Sequence, residues 1–235
     1  MGMAIPATPA VRPQEVGFES APPLLEPGDR LSRSEFERRY ERMPDLKKAE
    51  LIEGTVYMPS PIRAARHAEP HSHLGGWLVV YASETPGVRC FDNSTIRLDL
   101  ENEPQPDLVL IKNLARGGRA RISPDDYIEG APELVVEIAG SSQAYDLHQK
   151  KGACRRNGVR EYLAWITGEN RLVWWELREE EYREIAPVED GLLKSGTFPG
   201  LWLDVAALLR GDLKGVLAAL RRGLDSAEHR AFVAT

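Results

Sequence analysis

The sequence predicts an α/β fold, in which one mixed central β-sheet is flanked by helices. Short apolar segments bounded by Pro or Gly, such as 104–111 and 133–140, are typical of buried strands. Helical periodicity separates these segments and is clearest over 204–222, where the apolar residues fall on one face. Strands and helices therefore alternate along the chain, which favours an α/β or α+β layer arrangement with helices packed on a sheet.

The length of 235 residues is enough for one domain with a substantial core. Residues 1–28 are rich in Pro and Ala and show no periodicity, so we expect a flexible N-terminal tail. The folded domain is then expected over 29–222, followed by a short C-terminal tail over 223–235.

The first part of the domain contains two predicted helices and a hairpin. A helix is predicted within SRSEFERRYERM (32–43), with Ser34 as its cap. AELIEGTVYMPSP (49–61) has the pattern of two short strands joined by a Glu-Gly turn, and its prolines are expected to end the second strand. A second helix is predicted over 62–83, where apolar residues share one face.

The remainder of the domain contains most of the predicted strands. They are expected over 88–93, 94–100, 104–111, 133–140, 159–166, 171–179 and 181–187, the last two forming a hairpin. Residues 116–132 are predicted to form a loop. One helix is expected over 145–158, ending at Gly158, which can supply a left-handed C-cap, and a final helix is expected over 204–222.

The composition favours a protein that does not enter a membrane. Apolar residues make up 42% and charged residues 28%, as in ordinary globular domains, and no run approaches the roughly 20 apolar residues of a membrane span. The net charge of −6 argues against binding nucleic acid by bulk charge, although basic clusters occur at 116–121 and 150–160. Cys90 and Cys154 fit no zinc spacing, and we expect two reduced thiols in a cytoplasmic protein.

Two carboxylates stand out because of where they lie. Glu137 interrupts the apolar segment 133–140, and a buried carboxylate is costly unless something compensates it. Asp107 opens the strand DLVLI, and if the two strands are neighbours, both carboxylates reach one end of the sheet and repel each other. Mg²⁺ or Mn²⁺ would remove this penalty, because both prefer oxygen ligands. Alternatively, Asp107 caps a turn, and Glu137 pairs with an arginine or faces solvent.

Three segments together resemble a known family. They are 49–61, 104–111 and 131–166, and they are similar to the bacterial Uma-type "putative restriction endonuclease" family of the PD-(D/E)XK nuclease superfamily. The resemblance extends over residues 30–210, and it depends on the order of the pieces. A glutamate precedes a Gly turn, and a Pro-Asp strand, a glutamate strand, an Asp–Lys helix and a Gly-Val-x-Glu-Tyr strand follow. The resemblance implies a restriction-endonuclease-like fold.

The resemblance also implies the residues of a site. The Pro-Asp pair ending at Asp107 matches the PD and Glu137 matches the (D/E), so these two are the expected catalytic carboxylates and metal ligands. The usual lysine position is occupied by Ala139, which departs from the superfamily pattern. The Uma-type family carries a lysine on the following helix, and Lys150 matches it. Glu50 matches the glutamate before the Gly turn and is expected to be a further catalytic residue, as a metal or water ligand.

The implied activity is that of a metal-dependent endonuclease that hydrolyses phosphodiester bonds of DNA, with Mg²⁺ or Mn²⁺ as the cofactor. A divalent cation lowers the pKa of water and neutralises phosphoryl charge. Lys150 is expected to hold the attacking water or to stabilise the developing charge. Alternatively, Lys150 forms an i,i+4 salt bridge with Asp146, worth about 0.3–0.5 kcal/mol, or Asp146 orients Lys150 as an accessory residue.

A homodimer is expected, because nucleases that cut both strands often pair two sites. Apolar residues of the predicted hairpin, such as Trp174 and Trp175, are candidates for the interface between the two subunits.

Three histidines lie close together at His67, His71 and His73, which raises the possibility of a zinc site. Pro70 between the first two disfavours regular helical geometry, and His71 is instead expected to face the carboxylate cleft as an accessory residue. Three classes of function therefore remain. They are a metal-dependent nuclease, which we favour, a catalytically inactive nuclease fold that binds nucleic acid or protein, which Ala139 suggests, and a zinc hydrolase.

Overall fold

A six-stranded mixed sheet forms the centre of the protein in a computed structural model that describes residues 22–58, 63–140 and 143–234. In spatial order its strands are β11 (Glu181–Glu184), β10 (Arg171–Arg178), β9 (Glu161–Ile166), β8 (Leu134–Ala139), β5 (Leu108–Lys112) and β3 (Val88–Asp92). β8 and β9 are parallel, and the other neighbouring pairs are antiparallel. The predicted mixed sheet is therefore confirmed.

Smaller sheets and helices surround this centre. The small sheets pair β1 (Glu50–Ile52) with β2 (Thr55–Tyr57), β12 (Leu193–Lys194) with β13 (Trp202–Leu203), and β7 (Ile128–Glu129) with both β4 (Ile96–Arg97) and β6 (Arg121–Ile122). The α-helices are α1 (Arg33–Tyr40), α2 (Glu69–Ser83), α3 (Gln143–Tyr145), α4 (Lys151–Arg156), α5 (Val205–Leu209), α6 (Leu213–Leu224) and α7 (Ala227–Ala234). π-helical turns occur at Ala64–Ala68 and Asp146–Lys150, and a 3₁₀ turn occurs at Leu114–Arg116.

Both faces of the central sheet are covered, which explains the continuous apolar runs in its sequence. Every residue of β8 and β9 is buried. Along β5, Leu108 and Leu110 join the core beneath α2 and α6, whereas Val109 and Ile111 join the core beneath α4, as strand alternation requires. The crossover between the parallel strands β8 and β9 carries α4, so this connection both covers one face and returns the chain to the sheet.

The strands that follow Asp107 and contain Glu137 are neighbours, as predicted. β5 and β8 pair antiparallel, with Leu108 opposite Val136. The hairpin prediction is also confirmed, because β1 and β2 pair around Glu53 and Gly54, both with positive φ. Such a pair of residues is typical of a tight hairpin turn.

Several element boundaries differ from the predictions. The cap of α1 is Ser32 rather than Ser34, because the Ser32 hydroxyl accepts the N–H of Glu35. The predicted strand 94–100 shortens to Ile96–Arg97, and the predicted loop 116–132 contains β6 and β7. β7 pairs with Ile96–Arg97 and with β6 in a separate sheet. Gly158 has a positive φ after α4, as expected for a C-cap.

The single helix predicted over 204–222 is wrong. It is divided into α5 and α6, because Gly211 adopts a φ of +75° between them and Asp212 caps α6 by accepting the N–H of Gly215. The hydrophobic periodicity continues across the break, since residues of both helices contribute to the same core.

The domain extends beyond both of the predicted boundaries. Leu25 is buried in the core formed around α1, so the packed region begins before residue 29, and residues 1–21 of the predicted tail lie outside the described ranges. The predicted C-terminal tail contains α7, in which His229 is buried and approaches the Thr85 hydroxyl at 3.0 Å. The prolines expected to end β2 also lie outside the described ranges.

Trp174 and Trp175 do not provide the apolar surface that the sequence suggested. Trp174 is completely buried and packs edge-on against Trp77, while the Trp175 ring contacts Tyr162 and lies beneath the Lys151 ammonium. Cys90 and Cys154 do not form a disulfide. Within the described ranges, no helix is both long and apolar enough to cross a membrane.

Candidate active site

Asp107 lies directly before β5, where the β5–β8 pairing ends. Its Oδ2 accepts the N–H of Ile138 at 2.7 Å, so the side chain continues the contact between the strands beyond the last backbone pair. This places the Asp107 carboxylate beside the segment of β8 that contains Glu137, although the two residues are 30 positions apart in the sequence.

The other Asp107 oxygen faces two basic side chains. His67 Nε2 is 3.2 Å and Lys48 Nζ is 4.0 Å from Asp107 Oδ1. Burial raises the pKa of Asp107, but the hydrogen bond from His67 and the charge of Lys48 outweigh it and hold the pKa at about 2. Asp107 is therefore ionised at neutral pH, although only 4% of its side chain is exposed.

Glu137 and Lys150 form the centre of a buried ionic cluster. Lys150 Nζ donates to Glu137 Oε1 at 2.9 Å, and it lies 2.8 Å from Glu50 Oε1 and 3.5 Å from Asp146 Oδ1. All four side chains are buried. The structure thus brings together the predicted residues Glu50, Glu137, Asp146 and Lys150, and it explains how the charge of Glu137 is tolerated inside an apolar strand.

The π-helical turn Asp146–Lys150 delivers Lys150 to this position. Wide turns of this kind are uncommon and frequently occur at functional sites. The turn lies in the crossover between β8 and β9, and Tyr162 of β9 donates its hydroxyl to the Asp146 carbonyl, which fixes the turn against the sheet. The Tyr145 ring lies 5.4 Å from Lys150 Nζ and completes the enclosure.

The electrostatics of the cluster keep Lys150 charged. Burial lowers the pKa of Lys150, but Glu137, Glu50 and Asp146 together raise it well above its ordinary value. The pKa of Glu137 is also raised, first by burial and then by the neighbouring carboxylates, and Lys150 offsets this only in part. Three buried carboxyl groups therefore share one ammonium group.

Glu50 connects the hairpin to the sheet. Besides its ion pair with Lys150, its Oε1 accepts the N–H of Gln105 at 2.6 Å, in the segment that leads into Asp107. The β1–β2 hairpin is consequently fixed beside the segment that leads into Asp107, and Lys48, two residues before β1, is brought beside Asp107.

Within the described ranges, the three histidines are not grouped as the ligands of a metal ion. Pro70 lies in the first turn of α2 instead of breaking a helix, and the rings of His67 and His71 stack with centroids 6.0 Å apart. His67 bonds to the Asp107 carboxylate, while His71 Nε2 lies 3.1 Å from the Asp107 carbonyl oxygen and 3.0 Å from Asp92 Oδ1. His71 thus lies beside Asp107 through the backbone carbonyl and not the carboxylate of that residue, and its role as an accessory residue stays a prediction.

The sequence prediction missed His67 and Lys48 as members of this site. The sequence suggests only a zinc role for His67, and its i,i+4 relation to His71 is the signal that places the two rings on one side of the chain. Lys48 lies in an unremarkable charged stretch before β1, and no spacing rule connects it with Asp107, 59 positions later.

The donor set fits a hard divalent cation in its chemistry. In the described part of the chain, no group of three or more His, Cys, Asp or Glu side chains is arranged to hold a metal ion. Mg²⁺ typically uses one or two carboxylates, keeps several waters and accepts substrate phosphate oxygens, so it does not require such a group. Asp107 and Glu137 provide two carboxylates, and Asp107 contributes to the raised pKa of Glu137 through its charge.

Comparison with known proteins supports a relationship over most of the chain. The family model Uma2, described as "Putative restriction endonuclease", matches residues 33–206. A crystal structure of "a putative nuclease belonging to DUF820 from Anabaena variabilis ATCC 29413" matches with 14% sequence identity and a TM-score of 0.48, over 77% of this chain and 97% of that one. No curated protein matches the sequence.

Proposed function

Because the chain belongs to the Uma2 "Putative restriction endonuclease" family, we propose that it is a metal-dependent endonuclease that hydrolyses phosphodiester bonds of DNA. The observation that carries this proposal is the buried Lys150 ammonium held between Glu50 and Glu137, beside the ionised Asp107. A structural ion pair would need one carboxylate, whereas this arrangement concentrates four at one end of the sheet. Buried carboxylates whose pKa values are shifted by burial and by specific charged partners are a recognised sign of a functional site.

In this proposal, Asp107 and Glu137 hold Mg²⁺ or Mn²⁺. Such a cation, when bound, lowers the pKa of water and neutralises charge on the phosphoryl oxygens. Asp107 is suited to this role because its pKa of about 2 keeps it ionised. The N–H of Ile138 fixes the orientation of the Asp107 carboxylate by binding Oδ2.

Lys150 acts by positioning in this scheme. It fixes Glu137 and Glu50 relative to each other and supplies a positive charge that lowers the cost of burying both carboxylates. Asp146 holds the ammonium from the preceding turn of the crossover. With 2% of its side chain exposed, Lys150 stabilises charge developing in the site electrostatically, from behind the carboxylates.

The alternative is a catalytically inactive nuclease fold that binds nucleic acid or protein. Ala139 at the usual lysine position favours it, as does the pairing of both candidate metal ligands with basic side chains. The first proposal requires the carboxylates for cleavage of DNA. In the alternative, the protein does not cleave DNA and the carboxylates contribute only to the stability of the fold.

Cleavage assays separate these proposals. Single-stranded DNA, duplex DNA and RNA are incubated with the protein in Mg²⁺, Mn²⁺ or EDTA, and we expect DNA to be cut only with a metal present. Asp107→Asn should reduce the rate at least about 100-fold, since even residues that merely support metal ligands contribute 10–100-fold. The matched control is Asp45→Asn, because Asp45 is exposed. If the metal does not matter, or Asp107→Asn cleaves like the parent, the nuclease proposal fails.

We propose a homodimer as the assembly, because cutting both strands of a duplex uses two sites. The support is functional, since Trp174 lies in the core and offers no interface.

A further inference from the structure

Two lysines flank the carboxylates, and they differ in what they can reach. An ammonium group has three N–H donors. Those of Lys150 face Glu50, Glu137 and Asp146 within 3.5 Å, in an environment closed to solvent. No donor of Lys150 remains for an oxygen of an incoming phosphate.

Lys48 is the more exposed of the two lysines. Its side chain is 20% exposed, and its Nζ is 4.0 Å from Asp107 Oδ1, which is too long for a hydrogen bond. Among the described residues, the Lys48 ammonium makes no hydrogen bond and contacts no aromatic ring. Its donors are therefore available to a molecule that approaches Asp107 from solvent.

The neighbouring turn adds further positive charge to this side. Arg63 and Arg66 are exposed beside His67, and neither guanidinium has a hydrogen bond or ion pair within the described ranges. The turn is fixed to the sheet because the Thr167 hydroxyl donates to the Arg66 carbonyl at 2.9 Å. The turn whose His67 contacts the Asp107 carboxylate therefore also carries two exposed cations that have no partner within the described ranges.

Most of the sequence-predicted basic clusters cannot serve this purpose, because their cations are engaged elsewhere. Arg116 and Arg119 bind carbonyl oxygens, Arg121, Arg155 and Arg156 bind glutamates, and Lys151 covers a tryptophan ring.

We propose that Lys48 is the substrate-facing lysine of the site and that it donates to a non-bridging phosphate oxygen of bound DNA. The inference rests on the proposed nuclease function and extends it by separating two roles that a lysine in the usual position would combine. Lys150 positions the carboxylates, and Lys48 binds the phosphate that they act on. A lysine suits this contact because its ammonium is a compact charge with rotatable donors.

The experiment compares the parent with Lys48→Ala, Lys48→Arg and the matched control Lys47→Ala. Lys47 is the adjacent lysine, is exposed and has no partner among the described residues. Binding of a fluorescent duplex is measured in EDTA over a range of salt concentrations, so that no cleavage occurs and no metal is needed. Cleavage in Mg²⁺ and the thermal midpoint are measured on the same preparations.

We expect Lys48→Ala to weaken duplex binding and to lower the slope of log K against log salt by about 1, the signature of one lost phosphate contact. Lys48→Arg should keep most of the binding, and Lys47→Ala should keep both binding and slope. The thermal midpoint of Lys48→Ala should stay close to that of the parent, because Asp107 keeps its contacts with the Ile138 N–H and with His67, and Lys48 at 4.0 Å makes no hydrogen bond to it.

An unchanged slope in Lys48→Ala would overturn the proposal even if cleavage fell, because Lys48 would then act only through Asp107. Equal losses in Lys47→Ala and Lys48→Ala would also overturn it, since bulk charge would explain both. A parent that does not bind duplex at low salt overturns it as well. If the parent binds with the expected Lys48 dependence but does not cleave with any metal, the nuclease proposal fails and the Lys48 contact stands.

Discussion

Replacing Lys150 with methionine removes the one ammonium group that the buried carboxylates share. Glu50, Glu137 and Asp146 would remain, each with no more than 4% of its side chain exposed. Removing one partner of a buried ion pair typically costs about 3–5 kcal/mol, because the remaining charge is left uncompensated. For a chain of this length, 1 kcal/mol corresponds to roughly 2–4 °C, so we expect the thermal midpoint to fall by roughly 6–20 °C.

The loss should depend on pH in a defined direction. Without Lys150, the folded pKa of Glu137 lies even further above its unfolded value, because burial and the neighbouring carboxylates already raise it in the parent and Lys150 no longer lowers it. Such groups contribute stability that is fully present below the unfolded pKa and is lost as the pH rises through the folded pKa. Lys150→Met should therefore be most destabilising at mildly alkaline pH and recover in part at mildly acidic pH.

Urea and thermal unfolding followed by circular dichroism test this expectation. The matched control is Lys151→Met, because Lys151 is the next residue but lies half-buried over the Trp175 ring, 4.0 Å from its centre. That contact is worth about 0.5–2 kcal/mol. Equal midpoints for the two variants at alkaline pH would refute the reasoning, as would a Lys150→Met midpoint that does not change with pH. Adding Glu137→Gln to Lys150→Met should restore part of the loss, because it removes one unpaired charge.

Three further outcomes are expected. Burial raises the pKa of Glu161 from 4.5 to about 6, despite hydrogen bonds from Ser195 and Thr197, so its stabilising contribution is present below pH 4.5 and lost as the pH rises through 6. Urea unfolding of Glu161→Gln should lack this loss and gain about 2 kcal/mol on the parent at neutral pH, and equal pH profiles would contradict it. Tyr145→Phe should leave the thermal midpoint unchanged or raise it, because the buried hydroxyl has no hydrogen-bond partner among the described residues. A fall worth more than about 1 kcal/mol would show that the hydroxyl is satisfied. Light scattering should give twice the monomer mass at micromolar concentration, and a monomer would remove the homodimer.

The sequence predicted the central strands correctly, because strands that are buried on both faces have a recognisable run of apolar residues. An acidic residue within such a run indicated a nearby group that offsets the cost of burying its charge, and Lys150 is that group for Glu137. Asp107 and Glu137 could be related because Glu137 lies on a strand recognisable in this way and Asp107 lies directly before another, its neighbour in the sheet. The approach of Lys150 was implied by resemblance, but the π-helical turn that directs it inward has no signature in residue spacing.

The residues that the sequence missed lie on irregular backbone and meet Asp107 only through tertiary contacts. Lys48 precedes a three-residue strand, and His67 lies in a π-helical turn, so neither has a periodicity that indicates its direction. The division of the last helix was missed for a different reason. Gly211 turns the chain without interrupting the hydrophobic pattern, because both halves pack on the same core.

Ala139 occupies the position where the superfamily pattern has a lysine, so the positive charge of the site must come from lysines elsewhere in the chain. Its side chain is completely buried and packs with Ile166 and Val173, on the face of β8 that also carries Glu137. A lysine at this position would have to displace that packing, whereas Lys150 reaches Glu137 from the crossover without disturbing the strand. Because Lys150 approaches Glu137 from the crossover, its ammonium group is surrounded by carboxylates and does not reach solvent. A lysine moved in this way supplies charge and orientation but no substrate contact, so the open side of Asp107 needs a second cation, and Lys48 is the lysine that lies there.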